Sequence, residues 1–133
     1  NGHTVVMDAP ERSGGEDAGP IPKPFVLAAL SGCTGMDIVA ILRKSGTEIQ
    51  DMSIQVTGEL SKQAPIAYVA MHIRYTILAD AGVQDAILAA VTDSQEKYCG
   101  VSYMLKKAIP VTWEIVFNGQ LIFNNKPAVS AAI

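Results

Sequence analysis

Cys33 and Cys99 are the only cysteines in this chain of 133 residues. A thiolate is both a nucleophile and a soft metal ligand, whereas a buried thiol is simply a small apolar side chain. Together with His3 and His72 the cysteines show none of the close ligand spacings of a zinc site, so no metal is expected, and no cofactor either. There is no Cys-x-x-Cys redox pair. A thiol pair distant in sequence and adjacent in space stays open. Cys99 opens a short predicted helix and should be the more acidic thiol, because its thiolate feels the helix dipole. Asp37, one turn beyond Cys33, opposes ionisation of that cysteine. Asp37 lies in an apolar stretch and needs hydrogen-bond partners, which suggests a structural role. His72 reads as a solvated residue on the polar face of a strand. No nucleophile elbow, phosphate loop, HExxH or dinucleotide fingerprint is present.

The element that must position Cys33 is residues 25–44, FVLAALSGCTGMDIVAILRK. It is apolar on almost every side, the pattern of a buried helix. Ser31, Gly32, Thr34, Gly35 and Asp37 interrupt it, which argues against a membrane span. Ala28, Gly32, Gly35 and Val39 form a narrow stripe that lets another backbone approach. Arg43 and Lys44 suit the helix C-terminus, and Gly46 suits a left-handed cap.

Period-two alternation predicts strands over residues 52–60 and 69–77, paired as a hairpin, and over residues 111–117. Asn118-Gly119 is a strong hairpin-turn signal, with a short returning strand over residues 120–123 and a loose tail over residues 124–133. A helix is predicted over residues 83–98 and a second over 101–107, stopped by Pro110. Residues 3–8 read as the end of a strand, and the Pro- and Gly-rich residues 9–23 as a loop. The economical arrangement is α+β, with helices on one face of an antiparallel sheet. One small sheet covers one side of the central helix, and a second copy of the chain is the simplest cover for the rest.

The composition, 49% hydrophobic and 17% charged, fits a globular fold of one domain. The net charge of −3, with no long basic run, argues against a nucleic-acid surface or a polybasic membrane anchor. No leader segment is read at the N-terminus, and the opening in a strand suggests that residues precede Asn1. Two cysteines are not a secreted disulfide framework, so a cytoplasmic location is expected.

The stretch AALSGCTGMD at residues 28–37 resembles the cysteine helix of the OsmC/Ohr family, the osmotically induced and organic-hydroperoxide-resistance proteins. Met7-Asp8, the GGEDAGP loop at residues 14–20 and EKYCGVS at residues 96–102 fit the same family in the same order, from about His3 to Phe117. The resemblance implies an α+β fold and an intertwined homodimer, with the two long helices packed between two sheets. Residues 1–117 would form the OsmC-like domain without its first strands, and residues 118–133 a C-terminal hairpin strand and tail. The implied activity is thiol-dependent reduction of organic hydroperoxides. Cys33 would become a sulfenic acid, Cys99 would condense with it, and a dithiol would reopen the disulfide.

Family members also use an arginine beside the thiolate and a glutamate that holds it. Pro24 stands where that glutamate falls, the arginine would lie upstream of Asn1, and Arg12 is not a substitute. A second class therefore stays beside the reductase: a non-catalytic dimeric binding or structural protein of the same fold.

Overall fold

A computed structural model describes residues 1–128. The predicted tail runs into residues 129–133, which lie outside the described residues. The chain forms a long helix α1 (Pro24–Lys44), strands β1 (Asp51–Leu60) and β2 (Tyr68–Leu78), helices α2 (Gln84–Asp93) and α3 (Gly100–Lys106), and strands β3 (Val111–Phe117) and β4 (Gln120–Asn124). Pro24 occupies the first turn of α1, where its missing N–H costs nothing. Gly46, at φ 72°, closes the other end. Its N–H donates to the Arg43 carbonyl and the Thr47 N–H to Leu42, the paired bonds of a Schellman cap.

The sheet order is β1-β2-β3-β4. The expected antiparallel pairing holds for β1–β2 and β3–β4, but β2 and β3 run parallel, so the sheet is mixed. The chain between β2 and β3 crosses over through α2 and α3, and such a crossover brings the next strand back parallel. Asn118 and Gly119 both have positive φ, 50° and 82°, as the tight β3–β4 turn requires.

Residues 3–8 do not form a strand. Among the described residues they pair with no strand, and Val5, Val6 and Met7 stay exposed. What orders this region is Asp8, whose carboxylate accepts the Ala9, Glu16 and Ala18 amides at 2.8–3.0 Å. Those amides, Ala18 first, hold its pKa below the ordinary value.

The core lies between the helices and one sheet face. Ile73, Tyr75 and Ile77 of β2, and Trp113, Ile115 and Phe117 of β3, are buried there. They meet Leu30, Ile38 and Leu42 of α1 and Ile87, Ala90 and Val91 of α2. Burial of α1 is one-sided within a single chain. Met36 is 75% exposed, Val26 and Val39 are exposed too, and Ala28 and Gly32 of the small-residue stripe face outward. The polar interruptions do not disqualify α1 as a membrane span, since an 18-residue window averages a hydropathy of 2.0. In this fold it is instead the central helix, packed by one face on the sheet and the other helices.

Candidate active site

Cys33 sits at the middle of α1, half-buried, with Asp37 one turn further on the same face. Cys99 comes from the segment between α2 and α3. Here the predicted helix over residues 83–98 is not continuous. After Asp93 the backbone widens into one π turn, Ser94–Tyr98, closed by the Cys99 N–H on the Ser94 carbonyl at 2.7 Å. Such insertions recur at functional sites because they re-aim side chains. Cys99 then turns to extended backbone and caps α3, its sulfur accepting the Ser102 N–H at 3.4 Å. The result is a cluster in which Cys33 Sγ, Cys99 Sγ and an Asp37 carboxylate oxygen all lie within 4.8 Å of one another. Both thiols are free.

The electrostatics reverse one expectation. The Cys99 thiol is pushed up to about 11. Burial is the main cause, and the Ser102 amide opposes it. Cys33, through a hydrogen bond and its charge, and the negative Asp37 raise it further. The dipole of a helix of seven residues does not offset the loss of water. Cys99 therefore keeps its proton at neutral pH. Burial holds the amine of Lys106 below its ordinary value, and Glu96 and Cys99 oppose that shift in part.

Beneath the thiols runs a buried polar network that was not read from the sequence. Thr34 Oγ1 is 2.7 Å from both the Tyr75 hydroxyl and Ser94 Oγ. Gln95 Nε2 donates to Tyr75 at 2.7 Å, and Ser102 Oγ donates to Gln95 Oε1 at 2.7 Å. Ser94 Oγ donates to Asp37 Oδ2 at 3.1 Å, giving the carboxylate the partner it needed. Lys106 Nζ donates to the Gln95 carbonyl at 2.7 Å and lies 5.0 Å from the centre of the Trp113 ring. α1, β2, the π turn and α3 are thus joined directly behind Cys33 and Cys99. The only signal in the sequence was Tyr75, a polar-tipped side chain at an inward strand position.

Burial pushes the Tyr75 hydroxyl up to about 12, against the lowering effect of Thr34 and Gln95. An acid whose pKa is raised by folding keeps its proton in the native state after the unfolded chain has lost it. Stability should therefore be full below about pH 10 and fall as pH rises toward 12, by about 2 kcal/mol from this group. Urea midpoints of wild type and Tyr75→Phe between pH 9 and 12 check this. The alkaline slope of the variant should be shallower.

His72 lies on the outer sheet face as predicted, but it is not solvated. Its ring nitrogens pair with Thr112 Oγ1 at 2.8 Å and Glu114 Oε1 at 2.7 Å, and Arg74 Nε reaches Glu114 at 3.5 Å. This cluster braces β2 against β3 on the face turned away from the thiols. Among the described residues no hydrogen bond or ion pair joins Arg12, Arg43 or Arg74 to either cysteine. Two clefts open near the site. One, of about 560 Å³, is lined by Cys99, Tyr98, Tyr103, Lys106 and Lys107. The other, of about 660 Å³, is lined by Asp37, Ile41, Asp93 and Tyr98.

A long helix carrying one thiol thus lies on a small sheet and meets a second thiol at the start of another helix. The chain belongs to the OsmC-like protein family, whose model matches residues 14–114. It is 35% identical over 119 residues to the protein YhfA of Escherichia coli K12, covering 87% of this chain and 85% of that one. A hypothetical protein of Aquifex aeolicus is 30% identical with a TM-score of 0.65, covering 78% of this chain and 79% of the other. The organic hydroperoxide resistance protein OsmC of Legionella pneumophila superposes with a TM-score of 0.63 at 17% identity, covering 84% and 80% of the two chains, a likeness of fold.

Proposed function

We propose that this protein is a thiol-dependent hydroperoxide reductase acting preferentially on organic hydroperoxides. The observation that carries this reading is the meeting of two free thiols, far apart in sequence, within 4.8 Å. The half-buried Cys33 reaches the peroxide, while Cys99, 3% exposed and protonated, waits behind it. The Cys33 thiolate attacks the outer peroxide oxygen. The O–O bond breaks, an alcohol leaves after taking a proton, and Cys33 becomes a sulfenic acid. The Cys99 sulfur then displaces water to give the Cys33–Cys99 disulfide. A dithiol reductant reopens the bond and is itself oxidised to a disulfide. The substrate and the reductant come from the family resemblance, and a cytoplasmic location from cysteine usage unlike that of a secreted disulfide framework. The stoichiometric test is the thiol titre after one equivalent of cumene hydroperoxide per chain. It should fall by two per chain; an unchanged titre would remove the proposal.

The working unit is a homodimer built on α1. Its exposed Val26, Ala28, Gly32, Met36 and Val39 make an apolar face that a second copy would cover. Light scattering at micromolar concentration should return twice the chain mass, and a monomer mass would exclude this arrangement.

One observation favours the second reading, a non-catalytic dimeric binding or structural protein. Pro24 stands where the family resemblance implies a glutamate. Under that reading the thiols serve packing, and the titre stays constant.

A further inference from the structure

We propose that Cys33, Asp37 and Cys99 form a binding site for a thiophilic divalent cation, with Zn²⁺ the best fit. The three ligand atoms lie within 4.8 Å of one another. A tetrahedral zinc with Zn–S bonds of about 2.3 Å places its two sulfurs about 3.8 Å apart. The 4.8 Å bound differs from that spacing by only about an ångström. Cys33 and Asp37 are an i, i+4 pair on one face of a rigid helix, and Cys99 meets them from the start of another. Two thiolates and one carboxylate select zinc over magnesium or calcium, which take all-oxygen sets.

The ligands are also held from behind, as metal ligands are. Ser94 Oγ donates to one Asp37 oxygen, Oδ2, at 3.1 Å. The Ser102 N–H fixes the Cys99 sulfur at 3.4 Å. Asp37 also lines the larger cleft, so a cation has a path in and a water can take the fourth position. Binding leaves both sulfurs as thiolates, with any thiol proton passing to solvent, and transfers no electrons. The Zn²⁺, two thiolates and carboxylate sum to one negative charge, beside the Lys106 ammonium. The site needs only this geometry and is independent of peroxide chemistry.

The test is an anaerobic titration of the reduced full chain with Co²⁺, then Zn²⁺. The wild type should show thiolate-to-cobalt charge transfer and the strong visible bands of a tetrahedral ion. One equivalent of Zn²⁺ per chain should bleach both by displacing cobalt from the same thiolates, without further proton release, since the protons leave when the first metal binds. Cys33→Ser and Cys99→Ser should each weaken zinc binding more than about a hundredfold, beyond what loss of an outer-shell partner costs. Asp37→Asn, nearly isosteric, should cost about tenfold while the charge-transfer band remains. Far-ultraviolet circular dichroism checks that each variant is folded. An octahedral cobalt spectrum in the wild type overturns the site, as does absence of charge transfer or zinc affinity indifferent to both cysteine substitutions. Metal-free oxidation by cumene hydroperoxide, run on the same protein, separates the two ideas. Zinc binding without peroxide reaction sinks only the reductase, and peroxide reaction without the cobalt signature sinks only the metal site.

Discussion

Cys33→Ser is expected to stop reaction with cumene hydroperoxide, slowing it at least about a hundredfold, since a serine hydroxyl is not ionised at neutral pH as a thiolate is. Cys99→Ser should behave differently. Its first step should persist, because Cys33 is the less buried of the two cysteines and Cys99 keeps its proton up to about pH 11. With the partner thiol gone, the product should stop at a sulfenic acid, a gain of about 16 Da that a dimedone trap captures on Cys33. The contrast tests the order of events. Equal reactivity of the two variants would mean that neither thiol has a distinct role, and would favour the non-catalytic reading. Pre-steady-state oxidation followed by intact mass gives both numbers in one experiment.

Gln95→Leu should be the most damaging change outside the cysteines. The side chain is buried and serves Tyr75 and Thr34 through its amide nitrogen and Ser102 through its oxygen. Leucine fills a similar volume but leaves those hydroxyls short of partners where water does not reach. Each buried polar group left unpaired costs about 1–3 kcal/mol. Allowing for rearrangement among Thr34, Tyr75 and Ser94, the total should be about 3 kcal/mol, or roughly 10 °C in melting temperature. Because Gln95 belongs to the π turn that delivers Cys99, the variant should also close its disulfide more slowly at temperatures where it is folded. Thermal melts and oxidation kinetics on the same sample check both effects. An unchanged melting temperature would mean that the network is not shared as described.

The sequence and the structure agree where a local rule was sufficient. Alternation in β1, β2 and β3 placed three strands, because side chains on a strand with one buried face must alternate. Asn118-Gly119 placed the final hairpin, since both turn positions need positive φ. Agreement ends where a feature depends on a partner distant in sequence. Residues 3–8 have strand chemistry, but the Asp8 carboxylate ties this segment to the Glu16 and Ala18 amides of the following loop instead. The parallel pairing of β2 and β3 follows from the crossover, which no single segment encodes. The π turn escapes a pattern with a 3.6-residue period because one added residue shifts the register only locally.

The site was legible only in part for the same reason. Nothing in the spacing of Cys33 and Cys99 brings them together, so their proximity came from the family resemblance alone. The acidity expected of Cys99 used the helix dipole and lacked the burial that outweighs it. Asp37 was expected to need partners, but Ser94 could not be named, because a serine late in a helix looks the same whether it is solvated or buried. His72 was misjudged in the same way. Its strand face was correct, while Thr112 and Glu114 lie across a strand pairing that was not foreseen.

The central claim is that Cys33 and Cys99 work as a pair, and the peptide map of the oxidised chain tests it most directly. The reduced protein is treated with the single equivalent of cumene hydroperoxide used for the thiol titre, alkylated and digested without reductant. The account predicts one cross-linked species joining the peptide that contains Cys33 to the peptide that contains Cys99, with a mass lower by about two hydrogens than the sum of the two. Both cysteines alkylated, or oxygen added to Cys99 with Cys33 untouched, would contradict it.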